Sequence, residues 1–137
     1  MKTYNIKDGY HCNPVGHYTG STRNSIRYQV PVYQFAAKMI QKFGLKSCMD
    51  IGCGFGTKIA SFLHPVCDDI TGIDLAPSIA HCKSTYNFGR WFVDNIEVPH
   101  LALDKKFDLI LVSDVIEHLL DPDKLFEYIK KYSTQET

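Results

Sequence analysis

One stretch carries most of the chemistry in this sequence: Asp50-Ile51-Gly52-Cys53-Gly54-Phe55-Gly56-Thr57. Three glycines at alternate positions permit a tight turn and let a ligand come close to the backbone. The stretch follows a short apolar run and leads into an expected helix, whose unpaired N–H groups favour an anionic group. Asp74 closes the next apolar run, eighteen residues after Gly56. A carboxylate there can accept hydrogen bonds from both hydroxyls of a ribose. A glycine loop and an acid at adjacent strand ends describe a site for a nucleoside-containing cofactor. The dinucleotide fingerprint G-x-G-x-x-G fits poorly. Its third glycine position holds Thr57, the glycine arrives one residue early, and it has no counterpart to Asp50. The spacing therefore disfavours a nicotinamide dinucleotide.

The elements that must position these residues are legible as hydrophobic patterns. Val32, Phe35, Ala36, Met39, Ile40 and Phe43 form one helical stripe, opened by Pro31 and closed by Gly44. Apolar runs at 48–51, 70–73 and 107–112, with a weaker one at 91–93, predict four strands. Helices are expected at about 56–63, 77–86 and 122–132. The last is well marked: Asp121 suits an N-cap, Pro122 the first turn, and Leu125, Phe126 and Ile129 form a stripe. Strands alternating with helices predict an α/β fold with a parallel sheet and crossover helices. Residues 1–28 show no sustained period and read as an irregular arm before a domain at 29–137.

Composition bounds the rest. The chain has 137 residues, 45% hydrophobic and 22% charged, as expected of one globular domain. No apolar run approaches the ~20 residues of a membrane span. Fifteen basic and fifteen acidic residues cancel, so net charge makes no case for nucleic acid or membrane as partner. The balance hides an asymmetry. Residues 1–47 hold seven basic groups and one acid, a net of +6, and residues 48–137 hold eight and fourteen, a net of −6. That describes either a basic arm lying on an acidic core, or an arm bringing cations to an anionic ligand held by the core. Five cysteines (12, 48, 53, 67 and 82) without a C-x-x-C pair suit a reduced, cytoplasmic setting.

The D-x-G-x-G-x-G pattern at 50–56, the acid in Gly72-Ile73-Asp74-Leu75, and Asp94-Asn95 after the third strand resemble the class I S-adenosylmethionine-dependent methyltransferases. The run from Phe107 to Pro122 is similar to that family's fourth-strand region, above all in the branch with ubiquinone-biosynthesis O-methyltransferases and other small-molecule enzymes. The resemblance spans about residues 30–132. It implies a Rossmann-like, doubly wound parallel sheet of order 3-2-1-4 with helices on both faces. It also implies S-adenosyl-L-methionine as cofactor and a small-molecule hydroxyl or amine as methyl acceptor.

Roles follow from the resemblance residue by residue. Gly52, Cys53, Gly54 and Gly56 would border the methionine part and the ribose, with Asp50 steadying the loop or reaching the amino group. Asp74 would bind the ribose hydroxyls and Leu75 would pack on adenine. Asp94 would accept from the adenine amino group, with the Asn95 backbone beside it. Ser113 and Asp114 would lie near the methionine amino group and sulfonium. His118, after strand four, is the candidate general base. Arg27, or else Arg23, would supply a cation to the cofactor carboxylate.

A metal reading is weaker. Asp114, Glu117 and His118 have the spacing of one helical face and resemble the Glu-x-x-Glu-His pattern of RNA 2′-O-methyltransferases, but no histidine follows His118. The His11-Cys12…His17 cluster reads as a polar loop. No metal is expected. The family's sheet has about seven strands, and this chain stops after the helix following the fourth. It therefore reads as a truncated domain, and a non-catalytic cofactor-binding fragment is the rival to an enzyme. Strand 107–112 should then be an uncovered sheet edge, which predicts association, most simply as a homodimer.

Overall fold

A computed structural model describes Arg27 and residues 29–137. Arg23 and the His11-Cys12…His17 cluster lie outside the described residues. The first helix, α1 (Val30–Phe43), is stopped by Gly44, whose left-handed backbone (φ 62°) lets its N–H reach the Ile40 carbonyl. Strand β1 (Ser47–Ile51) is buried at every position. It lies between β2 (Asp69–Asp74) and β4 (Leu109–Val112), and β3 (Arg90–Val93) flanks β2. All three pairings are parallel and the order is β3-β2-β1-β4. The expected partial doubly wound sheet is therefore present.

Alternation along β1 divides the core in two. Cys48 faces a cluster with Ala36 and Ile40 of α1, Ile59 and Ile79. Met49 and Ile51 face the opposite cluster, with Leu125 and Tyr128 of the last helix, α3 (Pro122–Tyr132). Helix α2 (Ala76–Thr85) packs on the α1 side. Helical residues 57–63 after the glycine loop wind as a π-helix from Ile59 to Leu63.

Three details differ from the sequence pattern. In α1 the buried residues are Tyr33, Ala36 and Ile40, while Phe35 (64% exposed) and Phe43 (56%) face outward. The helix is turned so that the Tyr33 hydroxyl donates to Asp50 Oδ2 at 2.8 Å. A buried carboxylate without donors costs more than exposed phenylalanine. In α3, Leu125, Tyr128 and Tyr132 are buried and Phe126 is exposed, again because a tyrosine serves a buried acid. The Asp121 cap forms as expected, accepting from Asp123 N–H at 3.2 Å.

The third difference is that β4 begins at Leu109, not Phe107. Asp108 turns its carboxylate to the Lys46 and Ser47 N–H groups (2.7 and 3.1 Å). Phe107 instead bridges to Ser133 beyond α3 and donates its N–H to the Tyr132 carbonyl at 3.0 Å. Along 109–112 the only strand partner among the described residues is β1.

In such a sheet the order reverses between β1 and β4, and ligands bind in the crevice beyond the strand ends there. Asp50 and Gly52 close one side of that crevice, and Ser113 and Asp114 the other.

Candidate functional site

The glycine loop is shaped first by its own chain. Gly52, Gly54 and Gly56 all have positive φ (80°, 58° and 72°). A Cβ on Gly52 would stand 2.4 Å from Val115 Cγ2, and one on Gly56 would stand 2.9 Å from the Tyr86 ring. Two of the three glycines are thus required by internal packing, which docks the turn after β4 directly on the loop. The Gly52 and Cys53 N–H groups donate to the Ile73 carbonyl, tying the loop to the end of β2 (2.8 and 3.1 Å). Cys53 is buried, and its thiol donates to the Gly54 carbonyl at 3.6 Å.

Asp74 stands at the end of β2, where the sequence placed it. Its Oδ2 accepts the Gly54 N–H at 2.7 Å and its Oδ1 the Leu75 N–H at 2.6 Å. Each carboxylate oxygen can accept twice, so one site on each remains for a ligand. The side chain is therefore oriented before any hydroxyl arrives. Leu75 is half-buried and precedes α2.

Asp94 corrects the sequence reading. It is 6% exposed, and its oxygens accept from the N–H groups of Asn95 (3.0 Å), His100 (2.8 Å) and Leu101 (3.1 Å) and from the Tyr128 hydroxyl (2.8 Å). Four donors fill a carboxylate's acceptor capacity, leaving none for an adenine amino group. Asp94 instead fastens the loop after β3 to α3. Burial and this carboxylate together push the Tyr128 phenol far above its ordinary pKa, so it stays a donor. The Asn95 side chain is likewise turned inward, accepting from Glu97 N–H at 2.9 Å.

The most unusual group is Asp50. It is 1% exposed, and its Oδ1 is buried with no hydrogen-bond partner. Burial pushes its pKa up to about 7, against the Tyr33 hydrogen bond and the nearby Lys58 charge, which pull it down, and with Asp74, which raises it. Lys58 is 8% exposed, and its Nζ lies 5.7 Å from the Tyr33 ring centroid. Tyr33 and Lys58 were not singled out from the sequence. The available signal was a lysine beside the apolar face of the helix that follows the loop.

A pH dependence follows for Asp50. Its folded pKa lies above its unfolded value, so the folded chain binds the extra proton between about pH 4 and 7. Stability from this group is complete below that window and is lost as pH rises through it, by an amount on the order of 4 kcal/mol. Urea unfolding of the wild type and Asp50→Asn at pH 5 and pH 8 isolates the effect. The wild type should lose stability relative to the variant at pH 8; an unchanged difference would contradict the assignment.

At the other side of the crevice, Ser113 is buried and Asp114 exposed. Asp114 has a left-handed backbone (φ 54°), as does Gln29 (φ 62°), whose side chain donates to Asp114 Oδ2 at 2.5 Å. Two strained residues thus pin the start of α1 to the turn after β4, leaving Arg27 two residues upstream and exposed. His118 ends a 3₁₀ turn (Ile116–His118), its Nε2 3.9 Å from Glu117 Oε1. Asp114 lies outside that turn, so Asp114, Glu117 and His118 do not share one helical face. Among the described residues no three His, Cys, Asp or Glu side chains are grouped to hold a metal ion.

This arrangement matches known proteins. A family model described as a methyltransferase domain covers residues 49–136. The chain belongs to that family. No curated protein sequence matches it. Among solved structures, the plantazolicin methyltransferase BpumL in complex with a pentazolic analogue and SAH is 23% identical over 85% of this chain and 44% of its own, with a TM-score of 0.63. An S-adenosylmethionine-dependent methyltransferase from Clostridium acetobutylicum is 19% identical over 84% of this chain and 50% of its own, with a TM-score of 0.67. The N-methyltransferase NodS from Bradyrhizobium japonicum, in complex with SAH, is 19% identical over 80% and 59%, with a TM-score of 0.62. This methyltransferase domain therefore shares their fold and spans about half of their length. No helix among its described residues is long and apolar enough to cross a membrane.

Proposed function

We propose that this domain binds S-adenosylmethionine across the ends of β2, β1 and β4 and serves methyl transfer to a small-molecule hydroxyl or amine. The observation that carries the reading is the pair of acids at adjacent strand ends. Asp74 is held by Gly54 and Leu75 with acceptor sites to spare for a ribose, and Asp50 keeps a buried oxygen without a donor. When bound, the cofactor supplies an electrophilic methyl on a sulfonium. The chain's part is to hold the methionine end between Asp50 and the Ser113–Asp114 turn, and to place an acceptor near His118, which takes the proton from a hydroxyl or ammonium. Support comes from neighbours solved with SAH and from their acceptors, which include an amino pentose and a glycopeptide nitrogen.

Calorimetry with S-adenosylmethionine, S-adenosylhomocysteine and NAD tests the cofactor. The first two should bind and NAD should not; binding of NAD alone would refute the reading. Turnover with phenol, amine and sugar pools then separates an enzyme from a cofactor-binding fragment, and binding without methyl transfer to any of them would favour the fragment.

The outer edge of β4 supports a proposal about assembly. Leu109, Ile110 and Val112 are only half-buried, and an edge strand with free N–H and C=O groups recruits another strand. We expect the chain to self-associate in dilute buffer, most simply as a two-fold dimer at this edge. Light scattering reads this directly, and a clean monomer would show that the bridge between Phe107 and Ser133 is cover enough.

A further inference from the structure

We infer that Cys53 and Cys82 form a redox switch on the glycine loop: a hydroperoxide closes the two thiols into a disulfide, and the loop then loses its grip on the cofactor. The effect on the cofactor rests on the S-adenosylmethionine reading above; the thiol pair does not. Cys53 lies within the loop and Cys82 on α2, and both are buried. Their thiols converge on one acceptor. Cys53 Sγ donates to the Gly54 carbonyl at 3.6 Å, and Cys82 Sγ donates to the same carbonyl at 3.4 Å. The Cys82 side chain is also within hydrogen-bonding reach of Cys53.

Two glycines leave room for this pair. A Cβ on Gly72 would stand 3.0 Å from Cys53 Sγ, and one on Gly56 would stand 3.2 Å from Cys82 Sγ. The same two positions border the ring of Trp91, the only tryptophan in the chain, at 2.5 and 3.1 Å. The Cys67 thiol is engaged elsewhere, by the Lys46 and Asp69 carbonyls at 3.4 and 3.6 Å. Cys53 and Cys82 therefore join the loop to α2, close to where Phe55 stacks on His81 with ring centroids 4.3 Å apart.

Two thiols and one hydroperoxide give a disulfide, an alcohol and a water. One sulfur attacks the outer peroxide oxygen, the O–O bond breaks, and a sulfenic acid forms as the alcohol leaves. The other sulfur attacks that sulfenic sulfur and expels water. The sulfurs give up two electrons, and the O–O bond takes them. Both S–H donors vanish in the process, so the Gly54 carbonyl loses its two thiol partners. The new S–S bond, about 2 Å long, also draws the loop toward α2. The adjoining peptide carries the Gly54 N–H that orients Asp74, so the ribose acid is disturbed with it. Burial pushes the Cys53 thiol up, so it stays protonated in the closed loop and reacts when the loop opens. A bound ligand that holds the loop closed should therefore slow the reaction.

The test treats the reduced chain with hydrogen peroxide and then with dithiothreitol. Peptide mass mapping, Trp91 fluorescence and calorimetry with S-adenosylhomocysteine are read at each stage. Peroxide should produce a link between Cys53 and Cys82, change the Trp91 emission and weaken the ligand about tenfold or more, and dithiothreitol should restore all three. Ligand added before peroxide should slow the linkage. Cys82→Ser and Cys82→Ala should form no such link and should each keep one affinity through the treatment. Urea midpoints show which variants fold, and the wild-type mass map decides the link without either. Oxidation that stops at sulfinic acid, or that links other cysteines, would overturn the inference, as would a Cys53–Cys82 link that leaves the affinity unchanged. If the reduced wild type binds no S-adenosylhomocysteine, the cofactor reading itself fails; if it binds and the link never forms, the thiol pair alone is wrong.

Discussion

Asp94→Ala should lower the unfolding free energy by about 4 kcal/mol, among the larger effects a single substitution produces. The carboxylate is buried and receives three backbone N–H groups and the Tyr128 hydroxyl. Hydrogen bonds to a charged acceptor contribute roughly 1.5–3 kcal/mol each, and each buried donor left unpaired adds a desolvation cost. The four do not add in full, because His100 and Leu101 lie in a loop that can move toward water. Tyr128→Phe removes one donor and leaves the other three paired, so it should cost about 1–2 kcal/mol. Urea unfolding of both variants measures this. Normal stability in Asp94→Ala, with only cofactor affinity reduced, would return Asp94 to the adenine role read from the sequence.

Asp74→Ala should weaken binding of S-adenosylhomocysteine about a hundredfold, roughly 3 kcal/mol, with a much smaller effect on stability. Two losses combine there. The ribose acceptor is removed, and so is the group that orients the Gly54 N–H, so the loop is less well prepared for the ligand. The side chain is only half-buried, so water replaces much of what the fold loses. Calorimetry gives the affinity and thermal unfolding gives the stability. Unchanged affinity would refute the ribose role. A stability loss as large as that expected for Asp94→Ala would make Asp74 a structural acid.

The contrast between these two aspartates shows what a local pattern can and cannot carry. Both end a strand and both looked like cofactor acids. Asp74 bonds to its immediate neighbour and to Gly54, twenty residues away in a loop visible as a motif. Asp94 is filled by partners that include Tyr128, thirty-four residues on, and nothing around Asp94 in the sequence announces that tyrosine.

The first helix makes the same point about faces. Val32, Phe35, Ala36, Met39, Ile40 and Phe43 form one regular stripe, yet of these Ala36 and Ile40 are buried while Val32, Phe35 and Phe43 are exposed, and Tyr33, outside the stripe, is buried too. Periodicity alone could not set that rotation. Tyr33 decided it, because Asp50 needed a donor and only one rotation of α1 delivers the hydroxyl.

The order of the four strands came from the family resemblance; from the local patterns of the sequence came the parallel α/β architecture, the glycine turn, the acid at Asp74 and the ends of α1 and α3. Each of these local features depends on residues close together in the chain, where apolar period, cap chemistry and glycine spacing act directly. The tertiary structure alone decided which acids are free and which are spent. It paired Tyr33 with Asp50, Tyr128 with Asp94 and Gln29 with Asp114, and it buried Lys58 beside the Tyr33 ring. Those outcomes turn on burial, since a polar group withdrawn from water must find its partner wherever the fold brings one, at any distance along the chain.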